Sequence, residues 1–346
     1  MESRRRQATI EDVAARSGVS VATVSRTLRG LPNVSATTRQ RVIEAAAALQ
    51  YRPDPHASRL AAGKTQTIGI GVPLIHTWYY AQILSGVESV LAEQGYDLLV
   101  VTVAGAEQRA SFVAKASSHR KRVDGMIMVD LFFDPSQVDE MAESGMLAVT
   151  VGVHTDRFDS ITIDNQASAR LATGHLLNLG HRRIGLISGV VESTMMFTAS
   201  IDRRAGYIQA LASAGVDYDP ALQADGGDSI DGAEEAMSSL LAVREPPTAV
   251  FALSDEMAMG AMKAIRSHGM KVPDDISVVG FDDHDLAAVL GLTTVRQQVV
   301  KMAAAATRLL LARFAEPEAP PQHQVTETRL IVRTSTAPPK IMARIS

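Results

Sequence analysis

The chain has 346 residues, 46% hydrophobic and 21% charged, the balance of a folded globular protein and not of a disordered one. It has no cysteine, which excludes disulfides, thiolate catalysis and cysteine-based metal sites, and no apolar run near the roughly 20 residues of a membrane span. The net charge of −4 is uneven: residues 1–64 hold 11 Lys+Arg and 5 Asp+Glu, which leaves 23 and 33 for the rest. A basic head on an acidic body points to a polyanion as the partner of the head. The start, MESRRRQATIEDVA, has charge but no apolar core behind it, so no secretory signal is expected and the expected location is cytoplasmic.

Three short helices come first. Thr9 reads as an N-cap, with Asp12 three residues on as a variant capping box. IEDVAARS puts Ile10, Val13 and Ala14 on one face, and Gly18 stands at the break. Val19 is an apolar plug. Ser20 caps a second helix, VATVSRTLRG, with Val24 and Leu28 inward and Gly30 at its end. A third helix is expected from Ala36 to Leu49, with Val42, Ile43, Ala46 and Leu49 apolar. Three short helices with a glycine-containing turn between the first two describe a DNA-binding helix-turn-helix.

The N-terminal end of such a second helix meets base edges in the major groove. Val21, Ala22 and Arg26 stand there. The guanidinium suits a guanine in bidentate fashion, and the small apolar side chains suit a thymine methyl. Thr9, Ser20, Thr23, Ser25, Arg29, Asn33, Ser35, Thr37 and Arg39 offer donors to phosphates, contacts that position without specifying. The plainer alternative for each is an ordinary exposed side chain.

After Tyr51, RPDPHASRLAAGKTQT reads as a linker holding one short helix. GKT at 63–65 is not a phosphate loop, because Ser58 stands where the first glycine belongs. From Ile68 the texture changes to short apolar runs alternating with segments of helical period. The strand candidates are IGIGVPL (68–74), YDLLVVTV (96–103), GMIMVD (125–130), LAVTVGV (147–153), SITID (160–164), RRIGLIS (182–188), TAVFALS (248–254) and ISVVGFDD (276–283). Helical segments are read over 80–93, 107–122, 166–179, 203–214 and 256–268. Continuous apolar strands with helical crossovers mean parallel sheets covered on both faces. Roughly ten strands are too many for one sheet, so two α/β subdomains are expected.

The stretches TIEDVAARSGVSVATVSRTL and VSATTRQRVIEAAAALQYRP resemble the head of the LacI/GalR family of transcriptional regulators. TIGIGVP, VDGMIM, ITIDNQASARLATGHLLNLGHRRIGLISG, RRAGYIQAL, PPTAVFALSDEMAMGAMKAIRSHGMKVPDDISVVGFDD and LTTVRQ resemble the periplasmic-binding-protein-like core of that family. The resemblance implies an all-α helix-turn-helix head joined to an α/β core of two doubly wound parallel-sheet subdomains. It places the head at 1–52, a hinge helix or linker at 53–65, and the core at 66–340. Within the core it puts an N-subdomain at 66–164 and 295–325 and a C-subdomain at 165–294 and 326–340. It makes Val21, Ala22 and Arg26 the operator-reading positions. In the hinge it implies a leucine wedge in the DNA minor groove at Leu60, with Ala57 on the same face and Arg59 and Lys64 on phosphates; such wedges kink DNA.

The implied function is a dimeric repressor whose operator affinity is set by a sugar-like small molecule in the cleft between the subdomains. Polar groups are expected to converge there, since strand C-termini in open α/β sheets point at ligands. Asp164 ends SITID, Asp282 ends ISVVGF, Arg203 opens a helix and Ser254 ends TAVFAL. Family members use an arginine and an aspartate at the Arg203 and Asp282 positions to hold effector groups. Trp78, Tyr79 and Tyr80 are placed at the cleft mouth. Strand-end capping is the alternative for both aspartates, core packing for the aromatics, and a surface ion pair for Arg203. The loop before Arg203 is longer than in the closest family patterns, so the ligand is not carried over. The helix face of Ile83, Gly86, Val87 and Val90 is a candidate dimer interface.

No cofactor or metal is expected. No H-E-x-x-H, G-x-S-x-G or phosphate loop occurs, so enzyme readings fail. His175 and His181 are badly spaced for one metal, and His181 reads as a helix C-terminal residue. The competing reading is a solute-binding receptor for sugar uptake, which shares the body but has no use for the head.

Overall fold

The computed structural model describes residues 8–51, 65–189 and 198–340. The chain divides into two compact units, Met1–Gln66 and Thr67–Ser346.

The first unit packs three helices, α1 (Ile10–Ser17), α2 (Val21–Leu28) and α3 (Ala36–Ala48), around Val13, Ala14, Val24, Val42, Ala45 and Ala46. Thr9 caps α1 in a capping box with Asp12, and Gly18 ends it at φ 67°. Ser20 and Ser35 cap α2 and α3. Val19 packs on the core, whereas Ile43 is exposed and Ala45 takes the inward position.

The second unit holds two six-stranded sheets. The first contains β1 (Thr67–Val72), β2 (Asp97–Thr102), β3 (Gly125–Val129), β4 (Ala148–Val151), β5 (Asp159–Ile163) and β11 (His323–Thr326), in the order β11-β5-β4-β3-β1-β2. The second contains β6 (Ile184–Ser188), β7 (Gln223–Asp225), β8 (Ala249–Ala252), β9 (Ser277–Asp282), β10 (Thr293–Arg296) and β12 (Arg329–Ile331), in the order β12-β10-β9-β8-β6-β7. All pairs are parallel except β10 with β12. The chain passes between the sheets after Ile163, after Arg296 and after Thr326.

Helices cover the sheets: α4 (Trp78–Gln94), α5 (Gly105–Ala114), α6 (Ala116–His119), α7 (Pro135–Glu143) and α8 (Asn165–Asn178), then α9 (Thr198–Ser213), α10 (Ile230–Leu241), α11 (Asp255–Ser267), α12 (Ala287–Leu290) and α13 (Val299–Arg313). Strands β3, β4, β6, β8 and β9 are buried along their whole length, as strands covered on both faces must be. Ile83, Val87 and Val90 of α4 are buried. A β-carbon on Gly86 would lie 2.4 Å from the Val300 carbonyl oxygen of α13. Only a glycine allows the two backbones this approach. The α4 face expected to meet a second copy is therefore covered by α13 within the chain.

Candidate functional site

In the head, Val21 is 40% exposed, and Ala22 and Arg26 are exposed with it. Val24 and Thr27 on the opposite face are buried. The amphipathic period of α2 thus turns its first residues outward while the far side holds the three-helix core. The expected phosphate donors divide. Asn33, Thr37 and Arg29 are exposed, and Thr23 and Ser25 are half-buried. The Thr9 hydroxyl donates to Asp12, and that of Ser35 donates to Thr38. The Ser20 Oγ accepts from the Thr23 amide at 3.2 Å. Arg39 donates to the carbonyls of Thr27 and Leu31 at 3.4 and 3.0 Å, closing the end of α2. Thr9, Ser35 and Arg39 are therefore engaged in holding the head together. Ala57, Arg59, Leu60 and Lys64 lie outside the described residues.

In the core, a cavity of about 120 Å³ lies between the two sheets. Its polar lining includes Tyr79, Tyr80, Asp130, Asn165, Arg203 and Asp282, and its apolar lining includes Leu74, Ile163, Leu253 and Met302. Arg203 is held rigidly. Its Nε donates to Asn165 Oδ1 at 2.8 Å and another nitrogen to the Leu253 carbonyl at 2.7 Å. The guanidinium lies 3.5 Å from the centre of the Phe281 ring, a cation–π contact. Burial lowers its pKa, and Asp282 counteracts this.

Asp282 is only 8% exposed and accepts from Gln297 Nε2 at 2.5 Å. Burial pushes its carboxyl up to about 7, against the pull of Arg203 and Gln297. Asp130 ends β3 and is pushed up to about 6 by burial, with Arg203, Tyr80 and Tyr79 opposing. Burial and then Asp130 hold both tyrosine hydroxyls well above their usual range. A β-carbon on Gly152 would fall 1.9 Å from Asp130 Oδ1, so the glycine makes room for that carboxylate. These are desolvated hydrogen-bonding groups from strand ends of both sheets, Asp130 and Asp282, and from the helices α4 and α9, Tyr79, Tyr80 and Arg203. They suit recognition of a small polar molecule and lack a nucleophile–base pair.

Of the residues expected here, the cavity brings together Tyr79, Tyr80, Arg203, Ser254 and Asp282. Asp164 is not among them. It is exposed and caps α8, accepting from the Ala167 amide at 2.8 Å. Ser254 touches the cavity, but its Oγ caps α11 by accepting from the Met257 amide at 3.2 Å. Trp78 stands outside the wall. Its indole Nε1 donates to Asp285 Oδ2 at 3.0 Å, and its ring lies 4.9 Å from that of His284. It therefore bridges the start of α4 and the loop after β9. His181 is buried and lies 2.8 Å from both Thr248 Oγ1 and the Ala337 carbonyl, anchoring the C-terminal segment.

Asp130, Asn165, Glu256 and Gln297 line the cavity and were not picked out from the sequence. Asp130 carried the same signal as Asp282, an acid at the end of an apolar strand. Gln297 stands in the LTTVRQ stretch at a crossing between the sheets.

Comparison with known proteins follows the same division. The model for bacterial regulatory proteins of the lacI family matches residues 9–54, and that for a periplasmic-binding-protein-like domain matches 173–336. The HTH-type transcriptional regulator CelR of Thermobifida fusca is 35% identical over 344 residues, covering 96% of this chain and 99% of that one. The chain belongs to the LacI family. Among solved structures, a lac repressor dimer bound to operator and the anti-inducer ONPF is 28% identical, with a TM-score of 0.81 and coverage of 96% and 100%. A complex of the transcriptional regulator CelR with cellobiose is 32% identical, with a TM-score of 0.69 and coverage of 95% and 99%. Enzyme readings have no support in these relatives. Among the described residues, no helix of this LacI-family chain is long and apolar enough to cross a membrane.

Proposed function

We propose that the chain is a sequence-specific transcriptional repressor, working as a homodimer on operator DNA inside the cell and associated with the nucleoid. Val21, Ala22 and Arg26 read base edges. Arg29, Asn33 and Thr37 join Ser20, Thr23 and Ser25 at phosphates, and Leu60 wedges the operator centre. A sugar or sugar derivative binds among Tyr79, Tyr80, Arg203 and Asp282, and its binding changes operator affinity. Coupling of ~1–3 kcal/mol is typical of such control.

The observation that carries this reading is the outward face of α2. An apolar residue at 40% exposure beside an exposed arginine has no role in the head itself but matches the groove chemistry of DNA. The CelR–cellobiose complex supports a saccharide in the core. The test is selection of duplexes from a random pool with the full-length protein, followed by a salt titration. A recovered palindrome, with affinity falling steeply with salt, is expected. Failure to retain any duplex at low salt, with and without a saccharide library, overturns the proposal.

A further inference from the structure

We infer that the effector is a hydroxyl-rich molecule without phosphate or carboxylate groups, and that the cavity refuses anionic sugars by charge. This rests on reading the cavity as the effector site.

The lining is lopsided. Asp130, Asp228, Glu256 and Asp282 face a single cation, Arg203, among the described residues. Arg203 commits two of its five N–H groups and one face within the chain. Its two hydrogen bonds go to uncharged acceptors, Asn165 Oδ1 and the Leu253 carbonyl, and one face lies on Phe281. Asp282 likewise has an uncharged partner, Gln297. Glu256 accepts no hydrogen bond from any described residue, and neither Thr198 nor Ser200 brings positive charge.

Recognition of a phosphate or carboxylate calls for convergent donors, such as a guanidinium presenting a free fork. Here the lining sets four carboxyl groups against one guanidinium among the described residues. Their natural complement is a set of hydroxyl donors, which carboxylates bind two at a time. An anion would be forced beside several carboxylates of like charge in a medium that screens poorly. Burial has already driven Asp282 up to about 7 and Asp130 up to about 6. The same desolvation would make a further anion costly to place beside them.

The test is calorimetry on the full-length protein with matched pairs: glucose and glucose 6-phosphate, glucose and glucuronate, ribose and ribose 5-phosphate, adenosine and AMP, cellobiose and cellobionate. At least one neutral member is expected to bind, with its anionic counterpart at least 100-fold weaker. Glu256→Lys is expected to narrow that ratio at least tenfold. An anionic member that binds as tightly as its neutral parent, or more tightly, overturns the inference and leaves the effector reading intact. Binding by neither member of any pair removes the effector reading as drawn, and the inference with it.

Discussion

The buried carboxyl of Asp282 costs the fold stability, and pH exposes that cost. Its ordinary pKa of 3.8 is pushed up to about 7 in the folded chain. Below about pH 4 it is protonated whether the chain is folded or not, and its burial has no charge cost. Above about pH 7 it is ionised in both states, and the folded state carries the full penalty. Stability from this group therefore falls as pH rises between the two values. At ~1.4 kcal/mol per pH unit, the interval from pH 5 to about 7 amounts to a ceiling of roughly 3 kcal/mol. Asp282→Asn removes the charge, keeps a carbonyl for Gln297 and is nearly isosteric, so the cost of the positive φ of 118° at this position is shared by both proteins. Burial also lowers the pKa of His119, His175, His181 and His284, so these groups weaken the fold as pH falls, with the opposite sign. They are common to both proteins and cancel in the difference. The assay is urea unfolding at pH 5, 6, 7 and 8, followed by the fluorescence of Trp78, the single tryptophan. The stability gap in favour of Asp282→Asn should widen from pH 5 to pH 8 by up to about 3 kcal/mol. A gap of equal size at both pH values refutes the reasoning.

Arg26→Ala should lose ~1–3 kcal/mol of discrimination at one operator base pair with no change in head stability, measured by anisotropy on matched and mismatched duplexes. Arg313→Met should destabilise the core by about 3–5 kcal/mol, because it strands Asp159, now paired with Arg313 at 2.5 Å with both side chains buried; urea unfolding reads the loss, and a smaller one than 1 kcal/mol would mean the pair behaves as a surface bridge. Asp285→Ala should shift Trp78 emission to longer wavelength, since the indole N–H loses its 3.0 Å acceptor to water; an unchanged spectrum means the bridge is not made in solution.

Most of the architecture was legible because buried parallel strands are read by apolar continuity. IGIGV, GMIMV, IGLIS and SVVGF became β1, β3, β6 and β9. What escaped is what lacks its own hydrophobic period. Strand β11, HQVT, is exposed for three of its four residues, and β12 has three residues; their pairing is a tertiary event without a local signal. In VVKMAAAATRLLLAR, now α13, residues on several faces are buried, so the apolar stripe that marks a surface helix is blurred. The α4 face was legible as apolar. What it would cover was not, because its partner lies more than two hundred residues away.

The site shows a finer limit, and the reason is local. Four strand ends carry a polar residue that bears on the site: Asp130 and the expected Asp164, Ser254 and Asp282. A helix begins at the next residue after Asp164 and after Ser254. Unpaired amide groups at a helix start capture the nearest side-chain oxygen, and both side chains became caps in extended backbone, at φ −80° and −146°. After Asp130 the next helix starts at Pro135 and brings its own cap, Asp134. After Asp282 the next helix starts at Ala287. No nearby helix start competes for these two carboxylates. Their backbones turn to φ 49° and 118°, and both line the cavity. The spacing between a strand-end acid and the following helix thus separates a cap from a cavity-lining group. That spacing is written in the sequence itself, in GMIMVDLFFDPSQ, SITIDNQAS and VVGFDDHDLAAV. It explains why Asp130 belongs with Asp282 and Asp164 does not.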